Sequence, residues 1–355
     1  MVSRAAGPQG EKLHHVGVYG ASGTSGTELV RLIDRHPAMA LRFATSRSFA
    51  GQSLTTVDPA APDVLLTDPA DADAQDAELV FCCLPHGHSA PIVEACLKAG
   101  ARVVDLSGDF RLSDPDVHGS IYGSERDADV AASAVYGLTE MARADLADTQ
   151  LVANPGCYPT CATMGLAPLV RRGWVLGPVI IDAKSGVSGA GRGPSASTQF
   201  VAVADDVRPY KLGRAHRHAV EIEQTLGRLV PAHVGAPTVI FNPHVVPIER
   251  GMLATMVVRM PGISYEKARD AIRADYEGEP LVNVLEAGPA RIRAVARTNR
   301  VQIGVADVSG TDHVVITSVI DNLGKGAAGQ AMQNANRMLG LPETLGVDAH
   351  AMEVA

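Results

Sequence analysis

At 355 residues, with 46% hydrophobic and 20% charged side chains, the chain is long enough for two domains that each bury a core of their own. A formal net charge of −8 argues against a general binder of nucleic acid or anionic membrane, both of which call for a basic face, and no apolar run approaches the ~20 residues of a membrane span. The stretch from Met1 to His15 has no apolar segment and reads as a tail rather than a signal peptide, while five cysteines (Cys82, Cys83, Cys96, Cys157, Cys161) without framework spacing suit free thiols in a reducing cytoplasm.

An apolar strand is expected at Val16–Tyr19, then a glycine-rich turn, then a helix over Thr24–Arg35 that must stop before Pro37. Ala40–Ser46 reads as a second strand, and the unbroken apolar run Ala77–Pro85 as a strand buried on both faces. Between them, the acidic stretch Asp68–Glu78 is expected to be a solvated helix or loop. A helix at Ser89–Ala99 and a strand at Ala101–Ser107 continue the alternation, which implies βαβ units and a Rossmann-type parallel sheet. A helix beginning near Pro159 runs to about Arg172. Beyond it the segments PVIIDAKSG, APTVIFNPHVVPIERGMLATMVVRM and DHVVITSVID are β-rich, with one helical stretch at Tyr265–Tyr276. This half reads as an α+β domain with a mixed or antiparallel sheet and helices on one face. The last strong pattern, GKGAAGQAMQNANRMLG, reads as a small-residue helix returning to the first domain. The expected division is residues 1–156 with 326–355, and 157–325.

Gly20, Gly23 and Gly26 stand as Gly-x-x-Gly-x-x-Gly between the first strand and its helix. Glycines there permit a tight turn and close approach of a pyrophosphate, which meets free N–H groups at the positive end of the helix. The competing reading is a glycine turn kept for helix–strand packing. With Ser22, Thr24 and Ser25 these residues form the expected cofactor cradle. After the second strand, Ser46 and Arg47 supply a hydroxyl and a cation where an NAD binder would carry an acid, so NADP(H) is favoured.

Cys157 admits three readings. A metal pair with Cys161 is poorly spaced and has no second cysteine pair to complete it; no metal is expected. Core filler suits Cys161. Cys157 instead stands between Gly156 and Pro159 where a helix starts, and proline is favoured in a first turn. The helix N-terminus stabilises a thiolate there, which makes a nucleophile. His216 and His218 flank an arginine in GRAHRHAVEIEQ, and if a helix begins near Ala219, Glu221 is placed to orient the His218 imidazole. The bland reading of each histidine is a structural residue. No Gly-x-Ser-x-Gly elbow or His-Glu-x-x-His pair is present.

GASGTSG, LPHGHS, DLSGDFRL, NPGCYPT, SGVSGAGR, HRHAVEIEQ and DNLGKGAAGQAMQN occur in this order. Together they resemble the N-acetyl-gamma-glutamyl-phosphate reductase family, related to aspartate-semialdehyde dehydrogenase, over nearly the whole chain from His15. GCYPT and HRH followed by EIEQ are the specific parts. Gly108 and Val220 depart from the family's frequent Ala and Pro, and neither touches a reacting group. The resemblance implies that Cys157 attacks a γ-acyl phosphate, that NADPH reduces the resulting thioester, and that the histidine pair moves protons and steadies charge in a step of arginine biosynthesis. It adds Pro85, Ser188, Gly189 and Asn322 to the cofactor set, with Gly326 nearby. SGVSGAGR with Arg192 offers N–H groups and a cation to phosphate, or is simply a flexible loop. Arg111 and Arg250 are candidates for a substrate carboxylate, their default being structural ion pairs. A homodimer or homotetramer is implied, with a small-molecule substrate and phosphate as the only other partners. Two rivals remain: a reductase of carrier-protein-linked aminoadipyl phosphate in lysine biosynthesis, and a non-catalytic NADP-binding regulator.

Overall fold

The computed structural model describes residues 13–193, 196 and 198–347; most of the expected N-terminal tail and residues 348–355 lie outside them. The chain divides into two units, one holding residues up to Pro155 and from Ala327 onward, the other Gly156–Gly326.

The first unit opens with β1 (His14–Tyr19), α1 (Thr24–Arg35) and β2 (Met39–Ala44), and continues with β3 (Leu79–Cys82), α2 (Ala90–Lys98) and β4 (Arg102–Asp105). Then come α3 (Pro115–Tyr122), α4 (Ala128–Ser133), β5 (Val135–Tyr136), α5 (Thr139–Asp148) and β6 (Leu151–Ala153). The six strands form one parallel sheet in the order β2-β1-β3-β4-β6-β5. Every side chain of β3 and the last four of β1 are buried, as strands covered on both faces require. Helix α1 buries Leu29, Val30 and Ile33 along one stripe and ends where His36 N–H bonds Ile33 O, one residue before Pro37. The acidic stretch forms two single 3-10 turns, Pro69–Asp71 and Ala74–Asp76, because Asp68 and Asp73 each accept a backbone N–H two residues on.

The second unit holds α6 (Cys157–Arg171), β7 (Leu176–Gly186), α7 (Phe200–Val203), β8 (Arg208–Pro209), α8 (Arg217–Leu229), β9 (Val239–Val246) and β10 (Met252–Arg259). It continues with α9 (Tyr265–Asp275), β11 (Val282–Val284), β12 (Val301–Asp307) and β13 (His313–Ile320). Its seven-stranded sheet, in the order β11-β12-β13-β10-β7-β9-β8, is mixed: β7 runs parallel to β9 and β11 to β12, and the other pairs are antiparallel. Helix α6 is buried all round from Tyr158 to Val170. It lies close on the sheet at Gly165, where a Cβ would stand 2.6 Å from Met256 Cε. On the other face, Ile180 of β7 and Ile240 of β9 are 41% and 37% exposed, alternating with buried Val179, Ile181, Val239 and Phe241.

A π turn at Gly324–Ala328 leads into α10 (Gly329–Met338), which belongs to the first unit. Its buried amides satisfy loop backbone there: Gln330 Nε2 and Asn334 Nδ2 both donate to Gly137 O, at 3.0 and 2.8 Å.

Candidate active site

In the first unit the glycine turn is built as its spacing suggests, and its three glycines do different work. Gly20 has φ +78°, and a Cβ on it would stand 2.5 Å from Cys83 O. A Cβ on Gly26 would stand 2.2 Å from Gly20 O, so α1 packs against the turn only without one. At Gly23 the nearest atom would be 3.4 Å away, leaving room. Gly23 is the N-cap of α1 and brings no side-chain cap, so the first N–H groups of the helix, at Thr24 and Ser25, stay available to an anion. Ser22 Oγ and buried Ser46 Oγ lie 2.7 Å apart across the turn. Arg47 is exposed beyond β2, and its guanidinium has no partner among the described residues. Pro85 follows β3 and accepts His88 N–H. These residues suit a dinucleotide's phosphates, and Arg47 suits an additional one.

In the second unit Cys157 is the first residue of α6, after Gly156 as N-cap (φ −67°, ψ 154°), and is half-buried. Glu221 of α8 is fully buried, and its Oε1 accepts Gly156 N–H at 2.8 Å, which latches the two helices together at the nucleophile's cap. Gly326 backs the same spot: a Cβ there would meet Cys157 Cβ at 2.9 Å. Cys161, one turn on, is buried and donates Sγ–H to Ser318 O at 3.1 Å; burial pushes its thiol up to about 12, so it stays protonated. Among the described residues, no group of three or more His, Cys, Asp or Glu is placed to hold a metal ion.

Helix α8 starts two residues earlier than Ala219, because His216 itself is the N-cap. The His218 N–H donates to His216 Nδ1 at 3.1 Å, so in neutral His216 the proton is assigned to Nε2. Burial, then Arg217 and Lys211, lowers the His216 pKa to about 4, and at neutral pH the ring is an uncharged Nε2–H donor. The two imidazoles lie 4.7 Å apart, centroid to centroid, and each stands 5.9 Å from the ring of Tyr158, the residue after Cys157. Tyr210 closes this wall, with its hydroxyl 3.4 Å from that of Tyr158. Arg217 has its Nε buried without a hydrogen-bond partner. Tyr158, Tyr210 and Arg217 were not singled out from the sequence; for two of them the signal was adjacency to Cys157 and to the histidine pair.

The other expected residues separate. Asn322 Nδ2 donates to Ser188 Oγ at 2.9 Å and Asn322 Oδ1 accepts Gly251 N–H at 2.7 Å, so the SGVSGAGR segment and Asn322 form one assembly. Gly189 lies against it, and Arg192 is exposed beyond. Arg250 faces no open space: its Nη2 pairs with buried Asp321 Oδ1 at 2.8 Å, and Nε reaches both carboxylate oxygens. Arg111, in the first unit, is buried and ties Asn154 O (2.8 Å) to Leu106 O (2.7 Å).

Residues 15–149 match the family model described as semialdehyde dehydrogenase, NAD binding domain, and residues 157–322 the one described as semialdehyde dehydrogenase, dimerisation domain. The chain is 42% identical over 344 residues to an N-acetyl-gamma-glutamyl-phosphate reductase of Geobacter sp. (strain M21), covering 94% of this chain and 97% of that protein. It is 43% identical over 342 residues to the one from Geobacter metallireducens, covering 94% and 98%. Among solved structures, aspartate semialdehyde dehydrogenase II complexed with ASA from Vibrio cholerae aligns with a TM-score of 0.71 at 18% identity, over 93% of this chain and 99% of that one. Aspartate semialdehyde dehydrogenase with NADP from Candida albicans aligns at 0.66 and 16%, over 94% and 100%. The structural likenesses establish the fold.

Proposed function

The chain belongs to the N-acetyl-gamma-glutamyl-phosphate reductases of the semialdehyde dehydrogenase family, an oxidoreductase with a nicotinamide-cofactor domain, and from that premise we propose that it reduces N-acetyl-gamma-glutamyl phosphate to N-acetylglutamate 5-semialdehyde through a thioester on Cys157. The observation that carries the reading is the head of α6, where a half-buried thiol stands at the first helical position, the next residue, Tyr158, packs edge-on against both histidine rings, and Glu221 is latched to the cap. The thiolate attacks the acyl carbon and the C–O bond to phosphate breaks, releasing phosphate. NADPH, when bound, supplies the hydride that takes the thioester to the aldehyde level. Collapse of the adduct returns the thiolate and frees the aldehyde, so one proton is consumed per turnover.

Within this scheme the two histidines divide the work. His216, neutral and fixed as the Nε2–H tautomer, donates to the oxygen on which charge develops. His218 is the acid and base. Arg217 meets a negative group of the substrate, whereas Arg250, committed to Asp321, is structural. Gly20, Ser22, Gly23, Thr24, Ser25, Gly26, Ser46 and Pro85 hold the cofactor, and Arg47 selects its 2′-phosphate. Ser188, Gly189, Arg192 and Asn322 hold its nicotinamide end or the leaving phosphate. The partly exposed apolar face of β7 and β9 is where the dimerisation domain meets a second copy. The pathway is arginine biosynthesis and the compartment the cytoplasm; no described helix is long and apolar enough to cross a membrane.

The test is phosphate-dependent reduction of NADP by N-acetylglutamate 5-semialdehyde, run beside the carrier-linked aminoadipate semialdehyde. Turnover of the second alone would replace the substrate assignment, and turnover of neither would leave the regulator reading. Arg47→Ala should weaken NADPH far more than NADH; equal losses would remove the cofactor assignment.

A further inference from the structure

At the amino-terminal edge of the first unit's parallel sheet lies a groove of about 610 Å³, lined in part by His14, Glu78, Arg102, Gln150 and Arg337. His14 opens β1 and Arg102 opens β4, while Glu78 and Gln150 stand just before β3 and β6. The glycine turn follows the opposite end of β1, about 15–20 Å along the strand. The groove therefore shares no residue with the cofactor cradle or with the surroundings of Cys157.

Two guanidinium groups line it without the partners such groups ordinarily find. Arg102 makes no side-chain hydrogen bond or ion pair among the described residues. Arg337 donates one long bond, from Nη2 to Arg143 O at 3.4 Å, and its Nε is buried with no hydrogen-bond partner. Between them the two groups leave most of their N–H donors without a protein acceptor among the described residues. The lining also contains a carboxylate, Glu78, which His14 Nδ1 approaches at 3.1 Å. At the rim, α2 and α10 end at Lys98 and Met338, and the following Gly100 (φ +89°) and Gly340 (φ +73°) line the groove. Helix C-termini present carbonyl oxygens and partial negative charge.

Arg337, in the last turn of α10, also complements that helix's dipole, but this does not account for Arg102, which is on a strand. A simple anion would gain the guanidinium groups and oppose the carboxylate and the helix ends. A molecule with a carboxylate and an ammonium satisfies both. We propose that this groove binds a free α-amino acid, its carboxylate on Arg102 and Arg337 and its ammonium against Glu78 and the carbonyl ends of α2 and α10. Two guanidinium groups can each take a carboxylate, which makes the acidic amino acid L-glutamate, with two carboxylates and one ammonium, the probe.

Titration calorimetry on the full chain tests this, with L-glutamate in one arm and succinate and inorganic phosphate in the others. Saturable glutamate binding is expected, weakened about tenfold or more by Arg102→Gln and by Arg337→Gln. Both variants should keep their NADPH affinity, and Cys157→Ser should keep glutamate binding, which separates this site from the proposed reaction. Ala147→Trp leaves both arginines in place and fills the groove from its exposed rim, so it should abolish binding as well. Succinate or phosphate binding as tightly as glutamate would overturn the amino-acid assignment. No glutamate binding up to ~20 mM, or binding that Cys157→Ser or saturating NADPH removes, would overturn the site.

Discussion

Helices α1 and α6 begin alike. Each follows a strand of the parallel sheet in the chain, each has a glycine N-cap in extended backbone (Gly23 at φ −72°, ψ 163°; Gly156 at φ −67°, ψ 154°), and neither cap residue brings a side chain to satisfy the first turn. After Gly23 come Thr24, Ser25 and Gly26, whose small side chains leave the N–H groups open to a bound anion. After Gly156 come Cys157, Tyr158 and Pro159; Pro159 has no N–H to offer, and Glu221 already occupies that of Gly156. In the proposed scheme the same helix start receives an anion in one unit and stabilises one on its own chain in the other. The residue at the first helical position and a carboxylate 65 positions from Gly156 make the difference.

The largest separation between the two sites should come from Cys157→Ser. Loss of the thiolate should cut turnover by ~10³-fold or more, while the dissociation constant for NADPH stays within about twofold. Alkylation should follow the same line: iodoacetamide at neutral pH modifies Cys157 and spares Cys161, whose thiol burial holds protonated. Unchanged turnover in Cys157→Ser would refute the covalent route.

Acid should act on the two units with opposite signs. His216 is lowered from 6.5 to about 4, so above pH 6.5 it is neutral whether folded or unfolded and costs nothing. Between 6.5 and 4 only the unfolded chain takes up the proton, and stability falls by an amount of order 3 kcal/mol. Asp105 in the first unit is raised from 3.8 to about 6 by burial, against the bonds from Ser89 and Ser107. Its folded form takes up the proton first, so stability is regained as pH falls from 6 towards 3.8. Chemical denaturation at pH 7.5 and 4.5 should show His216→Gln losing less stability on acidification than the parent chain. Equal losses would mean that His216 is protonated in the fold.

The glycines of the α1 turn should sort by what a methyl group would touch. Gly26→Ala drives a Cβ to 2.2 Å from Gly20 O and should cost about 1–3 kcal/mol, visible as a lower Tm. Gly23→Ala has space in the fold and should leave Tm unchanged while weakening NADPH about tenfold, because the methyl group takes the path of the pyrophosphate. A Tm loss at Gly23 as large as that at Gly26 would leave packing as the purpose of the whole turn.

What could be read from the sequence was what local chemistry dictates. Thr24–Arg35 emerges residue for residue from its glycine turn and Pro37, and α6, expected from near Pro159 to about Arg172, lies at Cys157–Arg171. The mixed sheet of the second unit followed from its β-rich segments. Residues brought together from far apart were not legible. Arg250 could be read as a substrate candidate or, by default, as half of a structural ion pair, but its partner Asp321, 71 positions on, could not be named. The start of α8 was set two residues late because a histidine is an unusual N-cap; its imidazole nitrogen serves in the role a serine or aspartate oxygen fills elsewhere. The expectation that Glu221 orients His218, three residues away on its own helix, came from local spacing; the bond of its Oε1 to Gly156 crosses to another helix and leaves no local pattern.

That latch makes the finest test of the comparison, because it separates the shape of Glu221 from its charge. Glu221→Ala strands a buried Gly156 N–H and should cost about 1–3 kcal/mol of stability, along with a turnover loss from a displaced Cys157. Glu221→Gln keeps an oxygen of the same reach for that N–H, so Tm should stay within about a degree of the parent. The acid limb of the kcat/KM profile then reads the charge alone. A limb shifted to lower pH in Glu221→Gln would show the carboxylate opposing the thiolate at the neighbouring residue. An unmoved limb with restored turnover would show a latch that works by position, leaving the dipole of α6 as the source of the thiolate's stability. A glutamine variant as damaged as the alanine one would remove the latch from the account of this site.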